Sequence, residues 1–396
     1  MEKNLFISNS SKQKILGFLK LNRAFFVALV IIGFMDLFSC KIADVVQDGT
    51  KQVVRCKRQW VRTDEISKQA GGQDIVLFLG NSKIVAGIIP EVFDRANGHK
   101  IFSFNLALSA LPLGPNYFML KDYLQHNPPP KYIVTTLDPG GLRHGLMPYY
   151  APINAGLWEV IEYSWYRKDW DLLINYLFPI RFYWPEVRIY MIRRILPLVS
   201  KSFWTHERQK FVDQSKNKET FQHDWDNWYR LKYLDFEEAS QERERILRMD
   251  RGYYYIVEQA ALGGQLPDDY VAQENKKSKA LPVSQKEDFE DPFVKRFFDL
   301  ALSKGIKVIL ISGYALGPRG SHTAVVSDTW ASAQKKYRNV YFSRFEPRYY
   351  EPKYFSDPVH VNRAGATRYT LEIAEEFKDI VYGSTGMAHS SLDQSR

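Results

Sequence analysis

Short apolar runs alternate with amphipathic stretches over residues 74–141. The runs have the length and composition of buried strands, whereas the stretches between them repeat their apolar residues at the spacing of one helix face. This alternation predicts β-α-β-α-β order, which is typical of a parallel sheet covered by helices. The predicted strands are Asp74–Leu79, His99–Asn105 and Lys131–Leu137, and the predicted helices are Lys83–Ala96, with a kink or break at Pro90, and Pro115–His126.

The same alternation returns over residues 291–380. Gly305 follows a helical pattern at a position that favours a helix C-terminus. We therefore expect one α/β fold, a three-layer parallel sheet flanked by helices, whose two halves are far apart in the sequence. The predicted helices of the second half are Phe293–Ser303, Asp328–Arg338 and Val361–Phe377, and its predicted strands are Ile306–Ile311 and Asn339–Phe342.

Residues 142–290 interrupt this alternation and contain no clear series of strands. They hold seven of the nine tryptophans of the chain. We predict a large, mainly helical insertion, with helices at Arg181–Leu198 and Asp235–Met249 and a charged loop at Gln273–Asp288. Two interpretations of the aromatic residues stay open: they pack within the insertion, or part of them lines a groove for a carbohydrate or an acyl chain.

The N-terminus has the pattern of a membrane-targeting segment. Residues 1–23 are basic, and residues 24–38 are apolar apart from Asp36. A basic flank in front of an apolar core is typical of such segments, and the basic flank stays in the cytoplasm. We therefore predict a cytoplasmic N-terminus at 1–23, a membrane segment at 24–40 and a main domain on the outer face of the cytoplasmic membrane.

This membrane segment has three possible forms. An uncleaved anchor is our preferred interpretation, although a membrane span needs roughly 17–25 residues and has to include Asp36 or residues before the run. A cleaved signal peptide and a lipoprotein attached at Cys40 are the others, and a buried helix of a cytosolic protein is a further alternative. Residues 41–73 are polar and predict a stalk and lead-in to the α/β domain, and residues 381–396 predict a disordered tail.

Composition excludes several classes of protein. With eight histidines, two cysteines and neither a CxxC nor an HExxH motif, we expect no disulfide scaffold, no metal site and no cofactor. The net charge of +9 is mild for 396 residues and includes no sustained basic run. We therefore expect no nucleic-acid partner.

Ser82 is the first candidate for chemistry, because it follows the predicted strand Asp74–Leu79 directly. A serine at this junction lies beside the free backbone N–H groups at the start of a helix, which can stabilise an oxyanion. The carboxyl edge of a parallel sheet is also where ligands bind. The alternative is that Ser82 is only the N-cap of the helix.

Asp357 and His360 supply the other two parts of a nucleophile system. They are three residues apart in a turn with Pro358, so the Asp357 carboxylate can reach one imidazole nitrogen. Such a contact fixes the tautomer and leaves the other nitrogen free to take a proton from Ser82. The alternative is a surface turn that caps the last helix.

These residues resemble the SGNH (GDSL-like) hydrolase superfamily. Gly80-Asn81-Ser82 is similar to its first block, which carries the nucleophile, and Asp357-Pro358-Val359-His360 to its last. The resemblance implies a three-layer α/β fold and oxyanion or substrate contacts from Asn81, Asn105 and the second-block position Ala110. Its third block brings an asparagine, but here Leu137 is followed by Asp138, which we take as the oxyanion or substrate residue of that block.

An anchored chain of this kind resembles envelope proteins that O-acetylate alginate or transfer D-alanine to teichoic acid. The resemblance implies a serine esterase or O-acyltransferase with Ser82 as nucleophile, His360 as base and then acid, and Asp357 orienting it. The implied partners are a polysaccharide and a membrane-bound O-acyltransferase. The alternative is a non-catalytic scaffold or glycan-binding partner, because the third block lacks its asparagine.

Overall fold

The computed structural model describes residues 30, 33–34, 49–109, 111, 113–137, 155–168, 170–178, 244–254, 291–317, 335–343 and 347–383. The chain divides into two compact units. One consists of Met1–Asp48 and Val160–Arg208, and is called the aromatic unit below. The other consists of Gly49–Glu159 and Gln209–Arg396 and contains the sheet, and is called the α/β unit.

Five parallel strands form the central sheet of the α/β unit, in the order β2-β1-β3-β4-β6. The strands described in this unit are β1 (Asp74–Leu79), β2 (Ile101–Asn105), β3 (Tyr132–Leu137), β4 (Lys307–Ser312), β5 (Tyr314–Leu316), β6 (Val340–Phe342) and β7 (Arg348–Tyr350). The order reverses at β1, which pairs with β2 on one side and β3 on the other. The predicted α/β class and parallel sheet are confirmed.

Helices cover both faces of this sheet. Within the described residues, the helices are α1 (Gly49–Arg62), α2 (Glu65–Ala70), α3 (Ser82–Gly87), α4 (Pro90–Ala96), α5 (Asn116–His126), α6 (Leu157–Arg167), α7 (Trp170–Leu177), α8 (Pro292–Ser303) and α9 (Arg363–Tyr382). Val76 and Phe78 of β1 face the layer of α3, α4 and α9, where Phe93 packs edge-on against Phe78. On the opposite face, Trp60 of α1 packs against Phe104.

The expected break at Pro90 is confirmed, because α3 ends at Gly87 and α4 begins at Pro90. Ile88 and Ile89 are extended between the two helices. At Gly87 the helix passes so close to two tyrosines that a Cβ atom would lie 2.7 Å from the Tyr314 ring and 3.0 Å from the Tyr369 ring. The short helix α3 is therefore held tightly against α9.

The described part of residues 41–73 fits a lead-in to the α/β unit and does not form a polar stalk. Residues 49–62 and 65–70 form α1 and α2, whose side chains Val54, Trp60 and Ile66 are buried in the α/β unit. The stalk prediction failed because α1 is polar on average: its exposed face is polar, and only one face is apolar. The two-stranded parallel sheet of β5 and β7 was also not predicted, because three-residue strands are too short to give a periodic signal.

The described part of the insertion 142–290 is helical, as predicted, with α6, α7 and helical residues 244–249. The unit boundary at residue 160 falls inside α6, so it does not follow the predicted boundaries at 142 and 290. Several predicted elements lie outside the described residues. They are the helix Arg181–Leu198, the loop Gln273–Asp288, the tail beyond 383 and the part of the helix Asp328–Arg338 that precedes residue 335. Strand β6, which follows it, matches the prediction to within a residue.

None of the helices described combines the length and apolar character needed to cross a bilayer. Of the predicted membrane segment at 24–40, only residues 30, 33 and 34 belong to the described part of the chain. The membrane segment therefore stays a prediction.

Candidate active site

Ser82 is the first residue of α3 and follows β1 after a two-residue turn. Asn81 occupies the N-cap position, where its side-chain oxygen accepts a hydrogen bond of 3.0 Å from the backbone N–H of Lys83. The alternative that Ser82 serves only as the N-cap is therefore wrong. Asn81 thus caps α3, which leaves the Ser82 hydroxyl for other chemistry, and its expected substrate contact stays a prediction.

Gly80 makes this turn possible. Its φ of +141° lies in a region that side-chain-bearing residues rarely adopt. A Cβ atom there would also lie 3.0 Å from Cγ1 of Ile84, in the first turn of α3. The glycine therefore lets the chain turn sharply from β1 into a helix that starts at the sheet edge.

The Asp357–His360 contact predicted from the spacing is confirmed. Asp357 Oδ2 lies 2.7 Å from His360 Nδ1, and its other oxygen accepts the backbone N–H groups of Val359 and His360, each at 2.7 Å. Ser356 closes the turn, because its backbone N–H donates to the His360 carbonyl at 2.9 Å. The carboxylate is thus fixed by three donors, one of which orients the imidazole.

The pKa of Asp357 lies below its ordinary value of 3.8. Burial opposes the charge on the carboxylate, but the hydrogen bonds from the His360 ring and from the backbone of Val359 and His360 outweigh that penalty. Asp357 is therefore ionised over the whole range in which a histidine base works.

His360 presents its other ring nitrogen as a free base. With Nδ1 donating to the carboxylate, the Nε2 atom carries the lone pair. Nε2 is buried and makes no hydrogen bond, and 15% of the side chain is exposed. Because Nε2 has no partner, the structure contains no hydrogen bond between His360 and the Ser82 hydroxyl.

Ser82 and His360 nevertheless lie at the same edge of the sheet. Helices α3 and α9 pack side by side, since the Thr370 hydroxyl accepts the Ile89 N–H at 3.0 Å and donates to the Gly87 carbonyl at 3.1 Å. The end of α9 is at the amino edge, where the Tyr382 ring receives the Lys100 cation at 5.7 Å. Its start, three residues after His360, is therefore at the carboxyl edge with Ser82.

Asn105 does not contact a substrate as expected. Its side chain is fully buried, and its Nδ2 atom donates to the carbonyls of Ile84 and Ile88 at 2.9 and 3.0 Å. Its oxygen accepts the Ala107 N–H at 3.2 Å. Asn105 is instead a positioning residue that ties the end of β2 to the turn between α3 and α4.

The loop after β2 leads toward the second-block position. Leu106 N–H donates to Phe78 and Leu108 N–H to Gly80, at 2.9 and 3.0 Å, so the loop runs along the end of β1. Ala110 and Asp138, the two remaining expected oxyanion or substrate residues, lie outside the described part of the chain. The described residues of this loop bring it alongside the turn that holds Ser82.

Lys57 of α1 was not predicted to take part in the site. It is fully buried, and its Nζ donates to the Ala107 carbonyl at 2.6 Å. Burial lowers the pKa of Lys57 well below its ordinary value of 10.5. The sequence carried a signal, because Lys57 stands among Val53, Trp60 and Val61 on one apolar helix face.

Residues 250–254 form a second unpredicted part of the site's surroundings. The Arg363 side chain at the start of α9 donates to Asp250 at 3.0 Å, and the Arg251 carbonyl accepts the Asn105 N–H at 2.9 Å. Gly252, with φ of +88°, lies so close that a Cβ atom would be 2.0 Å from the Asn105 carbonyl oxygen. A turn from the insertion thereby connects β2 to α9.

The described residues contain no group of three or more His, Cys, Asp or Glu side chains that could hold a metal ion. No protein-family model matches the chain, and no curated protein does either. The arrangement itself is that of an oriented histidine and a serine on a strand-to-helix turn at the same edge of the sheet, and these are residue types suited to acyl transfer.

Proposed function

We propose that the chain is a membrane-anchored SGNH-like serine acyltransferase or esterase that acts outside the cytoplasmic membrane on a cell-envelope polysaccharide or a similar polymer. The observation that carries the proposal is the Asp357–His360 hydrogen bond of 2.7 Å, with Nε2 of His360 buried and without a partner. A nitrogen lone pair kept out of water and free of protein donors is suited to accept a serine proton.

The proposed reaction has two steps. The Ser82 hydroxyl attacks the acyl carbonyl while Nε2 of His360 takes the hydroxyl proton, which then passes to the departing group. A polymer hydroxyl or water next attacks the acyl-serine and gives its proton to Nε2, which passes it to the departing Ser82 oxygen, so that the serine hydroxyl and the neutral imidazole are both restored. Backbone N–H groups of Ser82 and Ala110 stabilise the oxyanion in both steps.

An acyl donor is the remaining requirement, and we propose that a membrane-bound O-acyltransferase supplies it. This part of the proposal rests on the resemblance to envelope acyl-transfer proteins and on the basic and apolar residues 1–38. A second candidate function is a non-catalytic scaffold of the same fold. One observation favours it, which is that His360 Nε2 makes no hydrogen bond with Ser82; catalytic hydrogen bonds are, however, often long before substrate binds.

The experiment is to treat the full chain in detergent micelles with a fluorophosphonate or an activated acetyl ester and to measure the intact mass. We expect one adduct, located on Ser82, that Ser82→Ala abolishes. Ser303→Ala is the matched control, because Ser303 is an exposed serine at the end of α8 and its loss leaves the adduct unchanged. A folded protein that forms no adduct with either probe would favour the scaffold.

A further inference from the structure

The aromatic unit exposes a row of large apolar side chains on α6 and α7. On α7, Trp170, Ile174 and Leu177 recur at the spacing of one helix face, and Leu172 on the opposite side is fully buried. Trp165 of α6 is 72% exposed, and its ring meets that of Trp170 edge-on with centroids 5.8 Å apart. This set, Trp165, Tyr166, Trp170, Ile174, Leu177 and Phe178, is called the aromatic face below.

Such a face needs a partner, because soluble proteins rarely expose contiguous apolar patches of this kind. Its composition indicates which partner. Trp and Tyr have an apolar ring and a polar N–H or O–H group, and they are enriched where a bilayer meets water. A groove on a partner protein, by contrast, binds apolar anchors of any kind along one helix face, and has no preference for Trp and Tyr.

The charge of the same unit is complementary to an anionic bilayer. Residues 160–201 contain seven Lys or Arg and four Asp or Glu. Most of the basic residues follow the aromatic face directly in the sequence, at Arg181, Arg188, Arg193, Arg194 and Lys201. Basic residues next to an interfacial helix strengthen its binding to anionic lipids.

We propose that the aromatic face docks on the surface of an anionic phospholipid bilayer. Trp165, Trp170 and Leu177 enter the headgroup region, and the helices lie parallel to the membrane without crossing it. The inference is independent of the chemistry at Ser82. It gives the chain a second membrane contact besides the predicted N-terminal segment.

The test compares two leucines of equal chemistry in the full chain. Leu177 of α7 and Leu371 of α9 are 50% and 44% exposed. Each is changed to Cys in a Cys40→Ser background and labelled with an environment-sensitive fluorophore. Cys56 stays unlabelled, because it is buried and its thiol pKa is raised to about 11 by burial. Both probes share any N-terminal anchor, so a difference between them reports the aromatic face alone.

The labelled chains are reconstituted in vesicles of phosphatidylcholine and phosphatidylglycerol in equal amounts. A spin-labelled lipid is expected to quench the Leu177→Cys probe about threefold more than the Leu371→Cys probe, since an interfacial helix face contacts the acyl region. Trp165→Ser with Trp170→Ser, or phosphatidylcholine alone, should reduce that difference. Equal quenching of both probes would overturn the proposal. A Leu177→Cys probe whose emission is blue-shifted but not quenched by the spin-labelled lipid would also overturn it, because that result indicates that a protein covers the aromatic face.

Discussion

The two halves of the candidate site are prepared to different degrees. In the base half, the Asp357 carboxylate receives three hydrogen bonds within one turn, so His360 is oriented without help from the rest of the fold. In the nucleophile half, Asn81 and Gly80 fix the backbone of Ser82, but the Ser82 hydroxyl makes no bond to His360. Local sequence thus builds the base, whereas the position of the nucleophile depends on tertiary contacts.

Those tertiary contacts come from buried polar side chains. Asn105 holds the turn after α3 and accepts the backbone N–H of Ala107. Lys57 donates to the backbone carbonyl of the same residue, so both polar backbone groups of Ala107 are bonded beside β1. Each contact is made away from solvent, where an unsatisfied polar group is costly. Changes in the base half should therefore affect chemistry, and changes behind the nucleophile half should affect stability.

His360→Gln should have the largest effect. Glutamine keeps a polar side chain but cannot take the serine proton, so Ser82 acylation by an activated ester should slow about a thousandfold or more. Thermal unfolding should stay unchanged within error. His126→Gln is the matched control, because His126 also has a nearby carboxylate, Asp122 at 3.9 Å, and should keep the full rate.

Asn105→Ala should have the next largest effect, on the free energy of unfolding. It removes the Asn105 donor from the buried carbonyls of Ile84 and Ile88, of which Ile84 keeps only the Ile88 N–H, and it removes the acceptor of the Ala107 N–H; together these losses should cost about 3 kcal/mol in denaturant titration. Asn97→Ala is the control, because the buried Asn97 amide donates to the Phe93 carbonyl alone. Equal losses in the two variants would contradict the special position of Asn105.

Lys57→Met should alter the pH dependence of stability in the alkaline range. The folded pKa of Lys57 is depressed, so between that value and 10.5 the unfolded chain binds more protons than the folded one. The stability of the wild type relative to Lys57→Met should therefore rise as the pH increases toward 10.5. A difference that stays constant with pH would show that Lys57 is charged in the folded protein.

Among the effects on stability, that of Asp357→Asn should be the smallest, and it should be confined to acid. The folded pKa of Asp357 is depressed, so its contribution to stability is complete above 3.8 and is lost as the pH falls through the folded value. Unfolding of the wild type and of Asp357→Asn, followed below pH 3.8, should converge as the pH falls. Parallel curves would mean that the hydrogen bonds to Asp357 add no preference for its charged form.

The sequence predicts those features that depend on neighbours along the chain. Strand β1 was predicted at its observed bounds, and the Asp357–His360 contact followed from a three-residue spacing. Asn105 was assigned to the substrate from the resemblance of its block, because its position at the end of β2 does not reveal which way its amide points. Lys57 and the turn at Gly252 were missed because they contact residues about 50 and 150 positions away, at Ala107 and Asn105.

The contact between α3 and α9 also determines when the site can exist. The Ile89 amide and the Thr370 hydroxyl are 281 residues apart in the sequence. A ribosome delivers the N-terminal part first, so Ser82 and the apolar surface around Phe93 are synthesised long before the helix that covers them. Closing so large a loop is slow relative to local folding. We therefore expect a newly made chain to stay inactive, and to need protection of that surface, until α9 has docked.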